Sequence, residues 1–305
     1  MRTGLRPTPR GGRAGGPQIA AGGAIVILVS VLALLAVVWT PHDPEVLNVP
    51  NRLAGPSLPH WLGTDYLGRD LASRVMLGGR SSIGTAAAAV ALGALVGLPL
   101  GLLAALGGRW MDTLGRGTID LVFAFPVVLT GLVMLAINGP GVINAIIAIA
   151  VFNASVLARV TRSAAQTVGS ADYVQAARAV GRGPVAVAWH HILPNIRGVL
   201  LVQGTVLLAV GVLAEAGLTY LGVGAEPSEP TWGKMLLDAQ VFMHLDPMQA
   251  IVPGAAIAIS VLGFNLLGDG LRDRLDPRLA RPTVVTGATA TRWGTDAPAD
   301  VNDRR

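Results

Sequence analysis

Long uncharged stretches alternate with shorter polar segments along the chain. The uncharged stretches cover residues 19–39, 83–106, 119–137, 142–158, 198–224 and 247–268, with only Asp120 and Glu215 among them. About 20 apolar residues in a helix are enough to cross the hydrocarbon core of a bilayer. The pattern therefore predicts an all-α membrane protein with six transmembrane helices.

The polar segments predict how the spans are connected. Residues 1–18 and 281–305 are poor in apolar side chains, and we expect two disordered tails there. Residues 40–82 are expected to form an external segment with a short helix, followed by a permease domain over 83–280. The first span is not expected to be a cleaved signal, because Trp39 and Pro41 follow it rather than small residues.

Basic residues are distributed unevenly between the two sets of connections. Of the 23 lysine and arginine residues, all but five lie in 1–18, 107–118, 159–197 or 269–305. The five exceptions are Arg52, Arg69, Arg74, Arg80 and Lys234. Because basic residues favour the inner side of a membrane, we predict that both termini lie in the cytoplasm.

Composition strengthens this prediction and excludes some functions. Charged residues make up 13% of the 305 residues and the mean hydropathy is +0.57, whereas soluble domains carry about 25% charged residues. Lys234 is the only lysine and lies in a predicted external loop. Since a phosphate-binding loop of the GxxxxGK[ST] type needs its lysine, we expect no ATP hydrolysis by this chain. The sequence also contains no HExxH or GxSxG motif, so no enzyme activity is expected.

The central segment, residues 159–197, is too polar for hydrocarbon. Its residues 172–180 favour one short helix and 185–192 a second, with Gly181 at the turn between them and Pro194 at the end. Small side chains on the first helix would let another protein approach its backbone closely. An ordinary loop of amphipathic helices lying on the membrane surface is the alternative.

Several motifs in this order resemble one family. Gln175-Ala176-Ala177, Gly181, His191 and Leu193-Pro194 resemble the EAA loop of ABC-type importer permeases. The stretches LGTDYLGRD (62–70), EAGLTYLGVG (215–224), PTWGKML (230–236) and FNLLGDGLRD (264–273) are similar to its dipeptide, oligopeptide and nickel branch. The likeness covers about residues 19–280 and is to the C-type permease of a pair.

The resemblance implies the fold, a site and a set of partners. The fold would be that of a six-helix type I ABC importer permease, whose coupling helix docks in a groove of an ATPase. The residues that would dock are Asp172, Tyr173, Gln175, Ala176, Ala177, Arg178, Gly181, His191, Leu193 and Pro194. Gln175 departs from the family, which has glutamate there. The partners would be a second permease, forming a heterodimer, two ATP-binding subunits that carry the ATP and magnesium, and an external substrate-binding protein.

The function that the resemblance implies is ATP-driven import of di- or oligopeptides across a bacterial plasma membrane by alternating access. Nickel or another small solute of the same family is the alternative cargo, and a freestanding channel or an intramembrane enzyme is the alternative class. Glu215 and Asn265 are candidates for the translocation pathway, although each could instead bridge helices by hydrogen bonds. His190 and His191 are adjacent and point about 100° apart on a helix, so no metal site is predicted. Trp232 is expected to anchor a helix at the membrane interface.

Overall fold

The computed structural model describes residues 15–224 and 229–275, and its regular structure within these ranges is helical. The helices are α1 (Gly16–Leu35), α2 (Leu71–Leu106), α3 (Gly108–Phe123), α4 (Val127–Asn138), α5 (Val142–Gly169), α6 (Asp172–Ala179), α7 (Pro184–Val187), α8 (Leu193–Tyr220), α9 (Trp232–Phe242) and α10 (Met248–Leu275). The predicted tail 281–305 lies outside the described residues, as does the tail 1–18 up to residue 14. From Gly16 onwards that segment belongs to α1.

Five helical stretches in the described ranges are long and apolar enough to cross a membrane, namely α1, α2, α5, α8 with its preceding turns, and α10. The pair formed by α3 and α4 is a sixth if it counts as one span, and its two helices are bent by 74°. The predicted span 119–137 is therefore interrupted. The break lies at Pro126, which precedes the first residue of α4 and has extended backbone angles. Proline has no N–H to continue the helical hydrogen bonds and disfavours helical geometry in the residue before it, Phe125, so α3 ends ahead of it.

Several helices extend past the predicted limits of their spans. The helix predicted to begin at residue 83 begins at Leu71, inside the segment expected to be external, and α5 continues from 158 to Gly169. Several of the charges beyond the predicted limits form ion pairs. Arg74 Nε, for example, lies 3.5 Å from Asp65 Oδ2, so the helix does not have to end where charged residues begin.

The packing of α2 on α5 depends on a row of small residues. Gly93, Gly97 and Gly101 lie one helical turn apart on the buried face of α2. A Cβ atom at Gly97 would lie 2.5 Å from the carbonyl oxygen of Ala154, and one at Gly101 would lie 2.5 Å from that of Ala158. Small residues allow this approach of two backbones, which is a main source of helix association in lipid. Gly97 and Gly101 have the GxxxG spacing that is typical of close helix contacts in membranes.

Ion pairs attach α3 to α5 on the other side of the bundle. Arg162 donates from Nε to Asp112 at 2.6 Å, and Arg159 donates to Asp120 at 2.9 Å. The Arg159 guanidinium also lies 4.1 Å from the centre of the Phe123 ring, a favourable cation–π geometry. These contacts hold the amphipathic helix α3 along the charged end of α5.

The segment between α8 and α10 was expected to be a loop but contains α9. Trp232, at the first position of α9, is 2% exposed and is not an interface anchor. Its indole Nε1 donates to the carbonyl of Val75 at 2.9 Å, and its backbone N–H donates to Ser82 Oγ at 3.2 Å. Two glycines of α2, Gly78 and Gly79, make room for the ring. Trp232 therefore joins α9 to α2 within the core.

The connection between α1 and α2, residues 36–70, is irregular apart from one short 3₁₀ turn. We call it the outer connection, because the distribution of basic residues predicts that it lies outside. Asp65 organises its last part by accepting the backbone N–H of Arg69 at 2.9 Å and the guanidinium Nε of the same residue at 2.7 Å. Thr64 offers its carbonyl to the Gln249 amide of α10 at 2.8 Å. The LGTDYLGRD motif therefore fixes this connection to two spanning helices, α2 and α10.

We expect the Gly97→Ala variant to be less stable than the parent by about 1–3 kcal/mol, because the new methyl group meets backbone rather than a movable side chain. Thermal unfolding of the purified protein in detergent measures the change. The control is Gly84→Ala on the same helix, where a Cβ atom would meet nothing within 4 Å. Equal melting temperatures for the two variants would contradict this account of α2 and α5.

Candidate functional site

The helical connection between α5 and α8 covers residues 170–192. It consists of α6, a turn, α7 and one π-helical turn over Ala188–Ile192 that leads directly into α8. The first predicted short helix, 172–180, is confirmed with its last turn ending at Ala179. The connection is therefore a compact pair of short helices between two long ones.

An apolar cluster fixes this connection to the bundle. Val174 of α6, Val187 of α7 and Ile192 of the π-helical turn are all fully buried. They pack with Ala165 of α5 and Ile196 of α8, which are equally buried. Because protein interiors are close-packed and transmit strain, a force on the outer face of α6 is passed to α5 and α8.

Four large apolar side chains of this connection are exposed. Tyr173 is 50% exposed, Val180 78%, Val185 81% and Trp189 68%. Exposed apolar side chains on a segment that is otherwise polar are typical of a protein interaction site. Sequence reasoning did not select Val180, Val185 or Trp189, although their apolar character beside a glycine turn was visible in the sequence.

The predicted docking residues divide by exposure. Those that are exposed are Asp172, Tyr173, Gln175, Ala176, Arg178, Gly181 and Pro194. Ala177 is buried, while His191 and Leu193 are half-buried. The rings of Tyr173 and His191 lie 6.4 Å apart and join α6 to the π-helical turn. The predicted docking residues therefore lie in one connection, with Ala177, His191 and Leu193 on its inner side.

The side chain of Gln175 forms a hydrogen bond that needs its amide N–H group. Its Nε2 donates to the backbone carbonyl of Gly169 at 2.8 Å, at the last residue of α5. The carbonyls at a helix C-terminus lack partners within the helix. An ionised glutamate has no proton to donate and could not replace this bond. Gln175 thus holds α6 against the end of α5.

Gly181 follows the end of α6 in a turn that is closed by two backbone hydrogen bonds. The N–H of Gly181 donates to the carbonyl of Arg178 at 2.9 Å, and the N–H of Arg182 donates to the carbonyl of Ala177 at 3.1 Å. This arrangement needs a left-handed residue after the helix, and Gly181 has φ +86°. A side chain there would meet nothing within 4 Å, so any substitution acts through backbone strain rather than through a clash.

Pro194 does not end the second short helix, contrary to expectation. It lies in the first turn of α8, where its missing N–H leaves the preceding turn without one of the usual bonds. The chain widens there into the π-helical turn, and Asn195 donates its side-chain amide to the carbonyl of His191 at 2.6 Å. The connection therefore continues into α8 without a break.

The two candidates for the translocation pathway lie in different environments. Glu215 of α8 is 2% exposed and accepts a hydrogen bond from Thr219 at 2.8 Å. This placement fits the alternative of a hydrogen bond within the bundle. Asn265 is on an exposed face of α10. Asn153 of α5, a further residue that the sequence allows either in a polar pathway or in a bridge between helices, is 1% exposed, and its amide finds no hydrogen-bond partner among the described residues.

Comparison with known proteins places the chain in a family. Residues 97–281 match the family described as binding-protein-dependent transport system inner membrane component. The chain is 40% identical over 263 residues to a dipeptide transport system permease protein of Alkalihalophilus pseudofirmus, covering 86% of each chain. It is 38% identical to a glutathione transport system permease protein of Pectobacterium atrosepticum, covering 85% of this chain and 86% of the relative. The glutathione transport system permease protein of Escherichia coli O1:K1 is 40% identical, covering 83% of this chain and 84% of the relative.

Solved structures agree with the fold. Two inward-facing crystal forms of the MetNI methionine ABC transporter align with TM-scores of 0.56 and 0.57 at 18% identity. They cover 66% and 67% of this chain and 96% of theirs. The chain therefore belongs to the family of binding-protein-dependent ABC importer permeases and is a multi-pass membrane subunit of such a transporter.

Proposed function

We propose that this chain is the permease subunit of an importer for di- or oligopeptides, and that it moves its cargo across the plasma membrane by alternating access. The observation that carries the proposal is the 38–40% identity, over more than four fifths of the chain, to a dipeptide permease and to glutathione permeases. Glutathione is itself a small peptide. The shared cargo chemistry of these relatives is therefore a short peptide backbone with free charged ends.

The helical connection is the proposed docking surface for an ATP-binding partner. Its outer face offers Tyr173, Val180 and Trp189 to a groove, while its inner face is anchored to α5 and α8. Two such partners that close on ATP and magnesium would draw together this connection and that of a second homologous permease. Such a movement biases the bundle between inward-facing and outward-facing states.

The remaining parts of the assembly follow from the same arrangement. This chain contributes no ATP chemistry, and its single lysine, Lys234, forms an ion pair with Asp238 at 3.0 Å on α9. An external substrate-binding protein would deliver the peptide to the end of the bundle that carries the outer connection and α9. Asn265 remains the better of the two pathway candidates, because an exposed amide on a spanning helix needs protein or water beside it.

We expect ATP-dependent uptake of a labelled dipeptide by proteoliposomes that contain this chain, its partner permease, both ATP-binding subunits and the binding protein. Vesicles with this chain alone should take up none, because the chain has no energy source of its own. Movement of solute by the chain alone would favour a channel. Uptake of nickel or another small solute without peptide uptake would overturn the proposed cargo.

We expect the Gly181→Val variant to hydrolyse ATP while peptide uptake per ATP falls by about tenfold. A β-branched residue in the left-handed region costs about 1–2 kcal/mol, which reshapes the turn between α6 and α7. Gly183→Ala is the matched control, since Gly183 has φ −66° and open space around it. Both rates are measured in the same proteoliposomes, and normal uptake by the valine variant would count against coupling through this turn.

We also expect the helical connection to face the cytoplasm and the outer connection to face outwards. The chain contains no cysteine, so single cysteines report position without background. An impermeant maleimide applied to intact cells should label a Leu58→Cys variant, at a position that is 95% exposed. It should label a Val180→Cys variant only after the membrane is opened. The reverse pattern would invert the proposed topology and disprove the docking surface.

A further inference from the structure

Two histidines and one carboxylate that are distant from the helical connection meet where the outer connection joins α2. Asp70 precedes the first residue of α2, and its Oδ1 lies 2.9 Å from His60 Nδ1 and 3.7 Å from His42 Nδ1. One ligand atom from each of the three residues lies within 4.8 Å of the other two. The centroids of the two imidazole rings lie 4.6 Å apart. The three side chains therefore converge on one small volume.

The three distances are compatible with a metal ion. Ligands of a tetrahedral zinc ion, at bond lengths of about 2.0–2.1 Å, lie about 3.3 Å from one another, and the two observed nitrogen–oxygen distances fall on either side of that value. His60 Nδ1 and Asp70 Oδ1, at 2.9 Å, are within hydrogen-bond distance, but the 3.7 Å separation between His42 Nδ1 and Asp70 Oδ1 is too long for a hydrogen bond. An ion placed among the three atoms would bind both imidazoles and would give the His42 ring a partner.

The carboxylate is already oriented by its neighbours. Asp70 Oδ2 accepts the Ser73 backbone N–H at 2.8 Å and the Ser73 hydroxyl at 2.7 Å. Ser73 Oγ in turn accepts the backbone N–H of His42 at 3.0 Å. Capping of α2 uses only Oδ2, which leaves Oδ1 directed at the histidines. Support of this kind, one bond away from the ligands, is typical of protein metal sites.

We propose that His42, His60 and Asp70 form a site for a divalent transition-metal ion of the zinc class, which joins the outer connection to the start of α2. Imidazole with carboxylate suits zinc, whereas calcium and magnesium prefer all-oxygen sites. The Asp70 side chain is 1% exposed and that of His60 15%, but that of His42 is 41% exposed. Three protein ligands leave a fourth position for water, and the open side at His42 gives the ion a way in.

Binding of the ion would stabilise the outer end of the bundle. The backbone of Asp70 pairs with that of Thr64, whose carbonyl accepts the Gln249 amide of α10. The ion would therefore hold the outer connection, α2 and α10 in one arrangement. A ligand that binds only the folded state raises its stability in proportion to the logarithm of its concentration.

The test uses the full chain, purified in detergent without a histidine tag and treated with a chelator. Zinc chloride is then titrated, with zinc retained per chain measured by mass spectrometry and melting temperature measured in parallel. The variants are His42→Ala and His60→Ala. The exposed His244 provides the matched control His244→Ala. Because His42 is partly exposed, its variant is expected to fold even if that of His60 does not.

We expect the parent and the His244 variant to retain one zinc ion per chain and to melt at a higher temperature when zinc is added. The His42 and His60 variants should bind zinc at least about tenfold more weakly, as loss of a ligand costs no less than loss of a supporting residue. Magnesium should not raise the melting temperature of the parent or of any variant. Undiminished zinc binding by the His42 variant, or no saturable binding by the parent, would overturn the site. Neither result bears on peptide transport.

Discussion

The close contact between α2 and α5 is the constraint on which the rest of the bundle depends. In lipid there is little hydrophobic gain from burying one apolar helix against another, so association relies on tight packing between backbones. The Gly93, Gly97 and Gly101 row allows this packing. The same two helices support both ends of the molecule, since α2 begins at the outer connection and α5 ends at α6. Their contact therefore places the two ends in a defined relation.

The two ends are built from different interactions. At the outer end, charged and polar groups of Asp65, Asp70 and Thr64 hold an irregular connection against α2 and α10. At the other end, apolar residues around Val174 and Ile192 seat two short helices on α5 and α8. This close-packed cluster fixes one side of the two short helices, and their exposed side is the proposed docking surface. A network of directed hydrogen bonds fixes a connection that has few helical bonds of its own.

Charged residues limited the accuracy of the predicted spans. Arg159 and Arg162 looked like the start of a loop, but both pair with aspartates of α3 and α5 simply continues past them. Likewise, Pro194 looked like a helix end but sits in the first turn of a new helix, where proline is tolerated. Pairing and position within a helix are properties of the folded chain, so a scan for charges and prolines misplaces such boundaries.

By itself, the sequence determined the membrane class, the number and order of the apolar stretches, the absence of an ATP-binding loop and the family, because these depend on composition and on residues close together in the chain. It also predicted α6 and the turn at Gly181. Only the tertiary structure decided that Trp232 is buried, that Gln175 caps α5, that Glu215 lies inside the bundle and that His42, His60 and Asp70 meet. Each of those features joins residues through packing or hydrogen bonds that no local pattern specifies.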